Sequence, residues 1–525
     1  MFAMQCSVDR QGARPPFRAT NHPMTVHFTL TAGLDGPESE MAGMRTGWSE
    51  LAVELDRSSI VPIYRQIYER LREQILAGAL PEGTRLPPER ALAERLEVNR
   101  STVVHAYRDL VADGLMQQRV GSGSRVAALV EGGRPDRSAE VPWWVTLPPW
   151  RVGQFPSVLG ELAAAEHGDL VAFVQGVPPA EPSPLEDLAA SFARVGGDMK
   201  YVLTYGDSEG YAPLREAIAL RMRARGCAVD PRDVLMLTGS TQGITLVAQS
   251  LAEPGDEIVV EAPTYPGALQ IFQIAGLRAI PVPLDDEGMR VDHVEAILRT
   301  RKPRFVYTMP SIHNPTGVTM NADRRDRLVT LARRHGVPLV EDDPYGALAP
   351  PANAPLRARD SDSVIYISSF SKTIAPSLRL GWLVAPRTIY ERLLLRKQSY
   401  DMASSMYIQA GVRDYLERGY DAHVVALRED LRERRALAYA AIERHWPAPM
   451  RVLTGGDGYY LWATAPREIR ARALLSAAER RGASFLFGEA FFPQAGGDHN
   501  FRLSITPVPR GAIAEGIRRI GDAAR

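Results

Sequence analysis

Lysine is the scarcest charged residue of this 525-residue chain: only Lys200, Lys302, Lys372 and Lys397 occur, and arginine supplies the remaining basic side chains. A lysine that stands inside a motif therefore carries unusual weight. Cysteine is nearly absent too. Cys6 and Cys227 are far apart and lack metal-site or redox spacing, so a disulfide scaffold is excluded, no metal site is expected, and a reducing, cytoplasmic compartment fits. No apolar run approaches the roughly 20 residues of a membrane span. No charged stretch followed by an apolar block opens the chain, so neither secretion nor membrane insertion is expected. Net charge is missing as well, since 62 basic residues face 62 acidic ones. Any surface for nucleic acid must then be a local one.

A chain of this length exceeds a single hydrophobic core and predicts at least two folded units. Residues 1–55 mix Met, Gly, Pro, Thr and Ser without steady periodicity and read as a disordered extension, for which an upstream start codon is the simple explanation. From Ile60 the pattern changes: Ile63, Ile67, Leu71, Ile75 and Leu76 recur at helical spacing up to a stop near Gly78. A second helix is predicted over Glu89 to Leu96 and a third from about Arg100 to Asp113, stopped by Gly114. Leu115 to Val126 alternates as a hairpin turning at Gly121-Ser122-Gly123. Three short helices and a Gly-tipped hairpin, within 56–128, are the plan of a winged helix-turn-helix.

Residues 129–168, with Pro135, Pro142, Pro148, Pro149 and Pro156, cannot form one regular element and read as a linker, in which Trp143, Trp144 and Trp150 imply some packing. Over 169–525, strand-like apolar runs (Val234 to Leu237, Glu257 to Val260, Arg304 to Thr308, Pro338 to Val340, Val364 to Ile367) alternate with helical segments. Such alternation predicts an α/β fold with a mostly parallel sheet. Residues 406–525, with strands near Tyr459 to Trp462 and Phe501 to Ile505, read as a smaller α+β subdomain.

The string LPPERALAERLEVNRSTVVHAYRDLVADGLMQQRVGSGSRV, Leu86 to Val126, has Asn99 placed to cap the third helix. That helix then presents Arg100, Ser101, Thr102 and His105 near its N-terminal end, where recognition helices meet base edges and phosphates. Arg90 and Arg125 add candidate phosphate contacts. Arg57 to Ala128 holds 11 arginines and 8 acidic residues, a net +3, modest but of the sign that DNA requires. The string resembles the DNA-binding domain of the GntR family along its whole length. It departs from the family pattern at Pro88, where a capping Ser is usual, and at Glu97, where a turn Gly is usual; an altered turn and a weaker Arg90 contact are expected.

A second constellation follows. SSFSKTIAPSLRLGW, Ser368 to Trp382, contains one of the four lysines, with Ser369, Ser371 and Arg379 in order to hold a phosphate. TGSTQG, Thr238 to Gly243, follows a strand-like run and opens a helix, so the backbone N–H groups of Ser240 and Thr241 are placed for an anion. The segment around Lys372 is similar to the cofactor-lysine segment of fold-type-I pyridoxal 5′-phosphate (PLP) enzymes, and further motifs follow the same family's order. The resemblance implies that Lys372 attacks the PLP aldehyde, that Tyr265 of APTYPG stacks on the pyridine ring, and that Asn314 of HNPTG bonds the phenolic oxygen. It implies that Asp342 of EDDPYG pairs with the ring nitrogen, in preference to Asp343, and that Tyr345 bonds the phenolic oxygen. A carboxylate there keeps the ring protonated and electron-withdrawing. Arg502 of NFRLSIT matches the arginine that pairs with an amino acid's α-carboxylate, a task for a bidentate guanidinium. Tyr205 of LTYGDSEGYAPLR matches a segment that reaches the neighbouring subunit's site.

Together the two halves resemble the MocR-type branch of the GntR family, from about Ile60 to the C-terminus. The resemblance implies a homodimeric regulator that binds an operator with paired half-sites and senses PLP or an amino compound, with little or no turnover. Two alternatives stand beside it: an active transaminase of the 2-aminoadipate or kynurenine type with an appended DNA-binding domain, and a regulator whose first module docks protein rather than DNA.

Overall fold

The structure is a computed structural model, and it describes residues 53, 55–57, 62–119, 123–127, 170–198, 204–350, 353–453 and 456–525. The expected extension (1–55) lies almost wholly outside the described residues, as do the linker (129–168) and the hairpin tip at Gly121 and Ser122. The chain divides into two compact units, Met1–Thr146 and Leu147–Arg525.

In the first unit, helix α1 (Ile63–Leu76) turns Ile67, Tyr68, Leu71 and Ile75 inward. α2 (Glu89–Arg95) and α3 (Arg100–Ala112) pack on it, and β1 (Met116–Arg119) pairs antiparallel with β2 (Gly123–Val126). Their shared core includes Leu92, Val103, Ala106, Tyr107 and Leu110. Asn99 caps α3, its side chain accepting from the Ser101 N–H at 3.0 Å, which satisfies one of the donors a helix start leaves open. Pro88 precedes α2 with no side-chain cap.

Both α2 and α3 end in the same way. After α3, Gly114 takes φ 69°, with Leu115 N–H donating to Leu110 O and Gly114 N–H to Val111 O. After α2, Val98 N–H donates to Ala93 O and Glu97 N–H to Glu94 O, but the left-handed residue is Glu97, at φ 51°. This is the Schellman pattern, which glycine fills without strain. The turn expected to change keeps its conformation, and a side chain bears the left-handed backbone instead.

The second unit opens with β3 (Val171–Phe173), α4 (Leu185–Gly196) and α5 (Ala212–Ala224). Then follow β4 (Val234–Leu237), α6 (Ser240–Leu251), β5 (Glu257–Ala262), α7 (Pro266–Ile274), β6 (Arg278–Asp285) and β7 (Gly288–Met289). After α8 (Val291–Thr300) come β8 (Val306–Thr308), α9 (Ala322–His335), β9 (Leu339–Asp342), β10 (Val364–Ser369) and β11 (Gly381–Val384). These strands form one eight-stranded sheet in the order β4-β11-β10-β9-β8-β5-β6-β7, from which β3 is excluded. Pairing from β10 through β9, β8 and β5 to β6 is parallel, and β11 runs against both β4 and β10. β4, β9 and β10 are buried at every residue, the continuous apolar reading of a sheet covered on both faces.

Beyond α10 (Arg387–Tyr400) and α11 (Met406–Arg418), the 26-residue α12 (Tyr420–His445) leads to a second sheet. That sheet orders β12 (Arg451–Val452), β13 (Tyr460–Thr464), β15 (Asn500–Ser504), β14 (Ala483–Phe487) and β3, with α13 (Ala471–Glu479) and α14 (Arg510–Ala523) packed on it. β3 pairs parallel with β14 through Val171↔Ala483. The small sheet thus takes an edge strand from the far end of the unit, one of three residues that alternation alone did not reveal.

Relieving the strain at Glu97 is expected to stabilise the first unit. The Glu97 carboxylate reaches only the exposed Arg57, at 3.7 Å, a contact worth little, so Glu97→Gly should add about 1 kcal/mol. Hydrogen exchange of α2 and α3 amides in the full chain measures this; faster exchange in the variant would contradict the strain argument.

Candidate functional site

Parallel strands end at one edge of a sheet, and that edge is where open α/β sheets hold ligands. β4 delivers Gly239 and Ser240 there, β5 delivers Tyr265, β8 the loop with Asn314, β9 Asp342, and β10 the turn with Lys372. The sequence-predicted residues, scattered over more than a hundred positions, converge for that topological reason.

Lys372 closes a short 3-10 turn, Phe370–Lys372, capped by Ser369. Its Nζ donates to the Gly176 carbonyl at 2.5 Å, and its own carbonyl accepts from Tyr459 Oη. Gly176 was not singled out by sequence. It cannot carry a side chain, because a Cβ there would stand 2.0 Å from Tyr460 Oη.

Asp342 is only 1 % exposed. Its Oδ2 accepts from Tyr307 Oη at 2.7 Å, while Oδ1 is buried without a partner. Burial pushes the carboxyl up to about 7, with the Asp343 charge adding to the rise and the Tyr307 hydrogen bond and Lys372 opposing it. Asp343 faces other groups: its carboxylate pairs with Arg225 at 2.9 Å and accepts from Tyr366 Oη. Asp343 Oδ1 is buried without a partner as well, but its carboxylate already pairs with Arg225, whereas the charge of Lys372 bears on Asp342. Tyr307, like Gly176, lies outside every motif, being an inward-facing residue of a buried strand with no pattern to mark it.

Arg502, 5 % exposed, donates to Asn314 Oδ1 at 3.0 Å and to Val174 O. Its guanidinium lies 4.4 Å from the Tyr460 ring centroid and 5.2 Å from that of Phe491. Burial lowers its pKa, and its Nε has no partner. Here is a buried cation whose hydrogen-bond partners are neutral. Tyr345 Oη and Tyr460 Oη meet at 2.7 Å. Tyr265, half-buried, has its phenol pushed up to about 12 by burial and then by Asp342. Tyr205 does not join this group: it is 85 % exposed and lines a separate recess with Met406 and Tyr407.

The phosphate candidates lie around the start of α6. Gly239 precedes it at φ 103° with no side-chain cap, so the first N–H groups of the helix stay available to an anion. Arg379, itself left-handed at φ 47°, donates to Thr238 O at 3.1 Å. A Cβ on Gly239 would lie 2.6 Å from the Arg379 guanidinium, so glycine is what lets the arginine approach. Ser369 Oγ and Ser371 Oγ are 2.8 Å apart. An uncapped helix start with a guanidinium and two hydroxyls, and a buried carboxylate oxygen lacking a partner, fit the two ends of PLP: phosphate and ring N–H.

In the first unit, Arg90, Arg100, Ser101, His105 and Arg125 are exposed and Thr102 is half-buried. Arg100 pairs with Glu89 at 3.0 Å, and Arg125 donates to Gly83 O at 2.8 Å. His105 packs edge-on against Tyr64. Among the described residues there is no cluster of metal-ligating side chains and no helix long and apolar enough to cross a membrane.

The chain matches the family described as aminotransferase class I and II over residues 169–516 and that of bacterial regulatory proteins, gntR family, over 63–126. It is 30 % identical to an uncharacterized HTH-type transcriptional regulator, YdfD, of Bacillus subtilis, across 88 % of this chain and 96 % of that one. It is 31 % identical to the probable rhizopine catabolism regulatory protein MocR of Rhizobium meliloti, across 82 % and 87 %. A solved structure of α-aminoadipate aminotransferase from Thermus thermophilus, complexed with N-(5′-phosphopyridoxyl)-L-leucine, is 32 % identical. It superposes with a TM-score of 0.68, covering 73 % of this chain and 98 % of that one.

The Asp342 geometry sets a pH dependence. A carboxyl whose folded pKa is raised to about 7 from 3.8 favours the fold below its unfolded pKa, and that contribution is lost as pH rises through about 7. Cofactor-free Asp342→Asn is therefore expected to be more stable than cofactor-free wild type at pH 8, with the advantage gone below pH 4. Thermal melts across that range test this, and an advantage independent of pH would refute the assignment to Asp342.

Proposed function

Since the chain belongs to the aminotransferase class I and II family and is a GntR-type regulator fused to that domain, we propose that it binds operator DNA under the control of PLP or an amino compound. The observation that carries this reading is coverage. The regulators match the chain through both of its units, whereas the aminotransferase structure leaves the first without a counterpart. Transamination as the main function is the less favoured reading for that reason.

PLP is the cofactor, and it supplies an aldehyde for amine capture and an electron-withdrawing ring. Lys372 provides the resident amine. Asp342 holds the ring nitrogen's proton, Tyr265 covers the ring, and Asn314 and Tyr345 bond its phenolic oxygen. Ser240, Thr241, Ser369, Ser371 and Arg379 bind the phosphate. Arg502 receives a carboxylate of the effector, which would give its buried charge a partner. With an effector amine bound, Lys372 would be free to donate to Gly176 O, three residues after β3 of the small sheet. Effector capture thereby reaches the small subdomain, and a difference in affinity between its two arrangements sets the size of the response.

Support for the proposed homodimer comes from the exposure of Tyr205 beside a cavity of about 520 Å³ edged by Met406 and Tyr407, with Tyr400 and Met402 also exposed. Such a patch fits a neighbouring subunit. A two-fold pair presents two α3 helices to two half-sites. Arg90, Arg100, Ser101, Thr102, His105 and Arg125 are the operator contacts, in the cytoplasm.

Two outcomes test the reading. Wild type treated with PLP and borohydride should carry one covalently fixed cofactor per chain, detected by mass spectrometry, and Lys372→Ala should carry none; a persisting adduct sinks the Lys372 assignment. Arg100→Ala should weaken operator binding and lower its salt slope by about 1, leaving cofactor absorbance unchanged. Glu89→Ala should strengthen binding by releasing Arg100. Turnover of amino acids at about 1 per second or faster, with no binding to DNA upstream of its own gene, would instead favour the transaminase.

A further inference from the structure

Outside the cofactor cleft, a cavity of about 210 Å³ opens where the two subdomains of the second unit meet. Its walls come from three places: Ile312 and Leu348 of the large subdomain, Arg428, Arg432 and Arg435 of α12, and Asp457 with Gly458 from the turn before β13. The arginines stand at i, i+4 and i+7, on one face of the helix.

Charge is unbalanced there. Arg428 donates to Ala347 O and Ala349 O and leaves its Nε buried without a partner. Arg435, 7 % exposed, donates to Tyr460 O at 2.9 Å and Tyr439 Oη at 2.7 Å, and burial lowers its pKa. Arg432 is exposed. The hydrogen-bond acceptors of the two anchored arginines are all neutral. Within the same turns the helix does otherwise, pairing buried Arg434 with buried Asp430 at 2.6 Å. A desolvated guanidinium without a hydrogen-bonded anion is costly; buried Arg435, half-buried Arg428 and exposed Arg432 edge one cavity whose sole acidic lining residue among the described residues is Asp457, which favours an anion there.

We propose that this recess is a second ligand site, for a small molecule bearing a phosphate or carboxylate group. The volume is below the 300 to 1,000 Å³ or so of pockets for drug-sized ligands, which limits the occupant to a small ion. Such an occupant touches both subdomains at a tight joint. Asp457 N–H donates to Gly317 O at 2.9 Å, and a Cβ on Gly458 would meet Ile312 at 2.3 Å. Ile312 itself is held at φ 51°, an outlier for a β-branched residue. Asn314 lies two residues beyond Ile312, and Tyr460 two beyond Gly458. An anion here therefore bears on the walls of the cofactor cleft without entering it, and the site stands whether the first unit reads DNA or not.

The test uses full-length protein saturated with PLP, so that the phosphate cradle at α6 is filled. Inorganic phosphate and, separately, succinate are titrated calorimetrically at ionic strength held constant with chloride. At least one should bind with one site per chain; phosphate alone assigns the phosphate group, succinate alone the carboxylate, and both the shared chemistry. Arg432→Glu should weaken that binding by about tenfold or more, while Arg432→Lys keeps most of it and both variants melt at the wild-type temperature. Should Arg432→Glu fold poorly, Arg432→Gln, which only removes the charge, takes its place. No binding of either anion above the chloride control, or wild-type affinity in the charge-altered variant, would overturn the proposal.

Discussion

The buried carboxylate of Asp342 is the constraint on which the second unit's site depends. It lies at the end of a strand covered on both faces, where a charge is expensive, and one hydrogen bond, from Tyr307, satisfies one oxygen only. The fold tolerates this deficit because Leu339 and Val340 of β9 pack into the apolar cores on the two faces of the sheet and hold the strand in place regardless. A cationic ring N–H at the open oxygen would make up the deficit, so the group that costs the free fold stability is the one proposed to bind its cofactor. Strain and unsatisfied groups gather at functional sites for this reason.

Much of this was legible in the sequence, and the reasons differ by residue. Lys372, Asn314, Tyr265 and Asp342 sit at or beyond the ends of buried strands, where a change from continuous apolar residues to polar and turn residues marks the edge of the sheet. Their spacing then matched a known motif order. Tyr307, Tyr460 and Gly176 act from within strands or from an unpatterned loop, where a tyrosine reads as core and a glycine as a turn. The three-residue β3 and its pairing with β14 were hidden because parallel pairing between distant segments leaves no local signature. Glu97 gave a different lesson: the residue broke the local rule, yet the backbone obeyed it, because the Schellman hydrogen bonds and the packing of the flanking Leu96 and Val98 fix the turn.

The scarcity of lysine also acquires a physical sense. Arginine's planar fork satisfies several acceptors at once, and the structure uses it so: Arg325 donates to Met320 O, Ala354 O, Pro310 O and Ser311 Oγ while almost fully buried, and Arg357 ties Ser361 O to Val364 O. Such structural duties need a cation that stays protonated under burial. As the proposed cofactor lysine, Lys372 would have the opposite task, since an amine that reacts must be able to give up its proton. Most such structural work falls to arginine, although buried Lys397 shares it by pairing with Asp401 at 2.6 Å, and Lys372 is the one lysine within the motifs of the cleft.

That division bears on how a sensor and an enzyme can share one scaffold. The cleft geometry that captures an amine is the same for both, so no single residue in it separates them. What separates them is where the free energy of capture goes. In an enzyme, interactions that strengthen only in the transition state accelerate the chemical step; in a regulator, the binding energy must differ between two arrangements of the protein. The joint between the subdomains is built for the second use. Gly176 O, the acceptor for Lys372, belongs to the segment that follows β3 of the small sheet, and Arg502 of β15 bonds Asn314 of the large subdomain. Lys372 and Arg502 thus form bonds between the subdomains, and a ligand that recruited either would alter how firmly those subdomains hold each other.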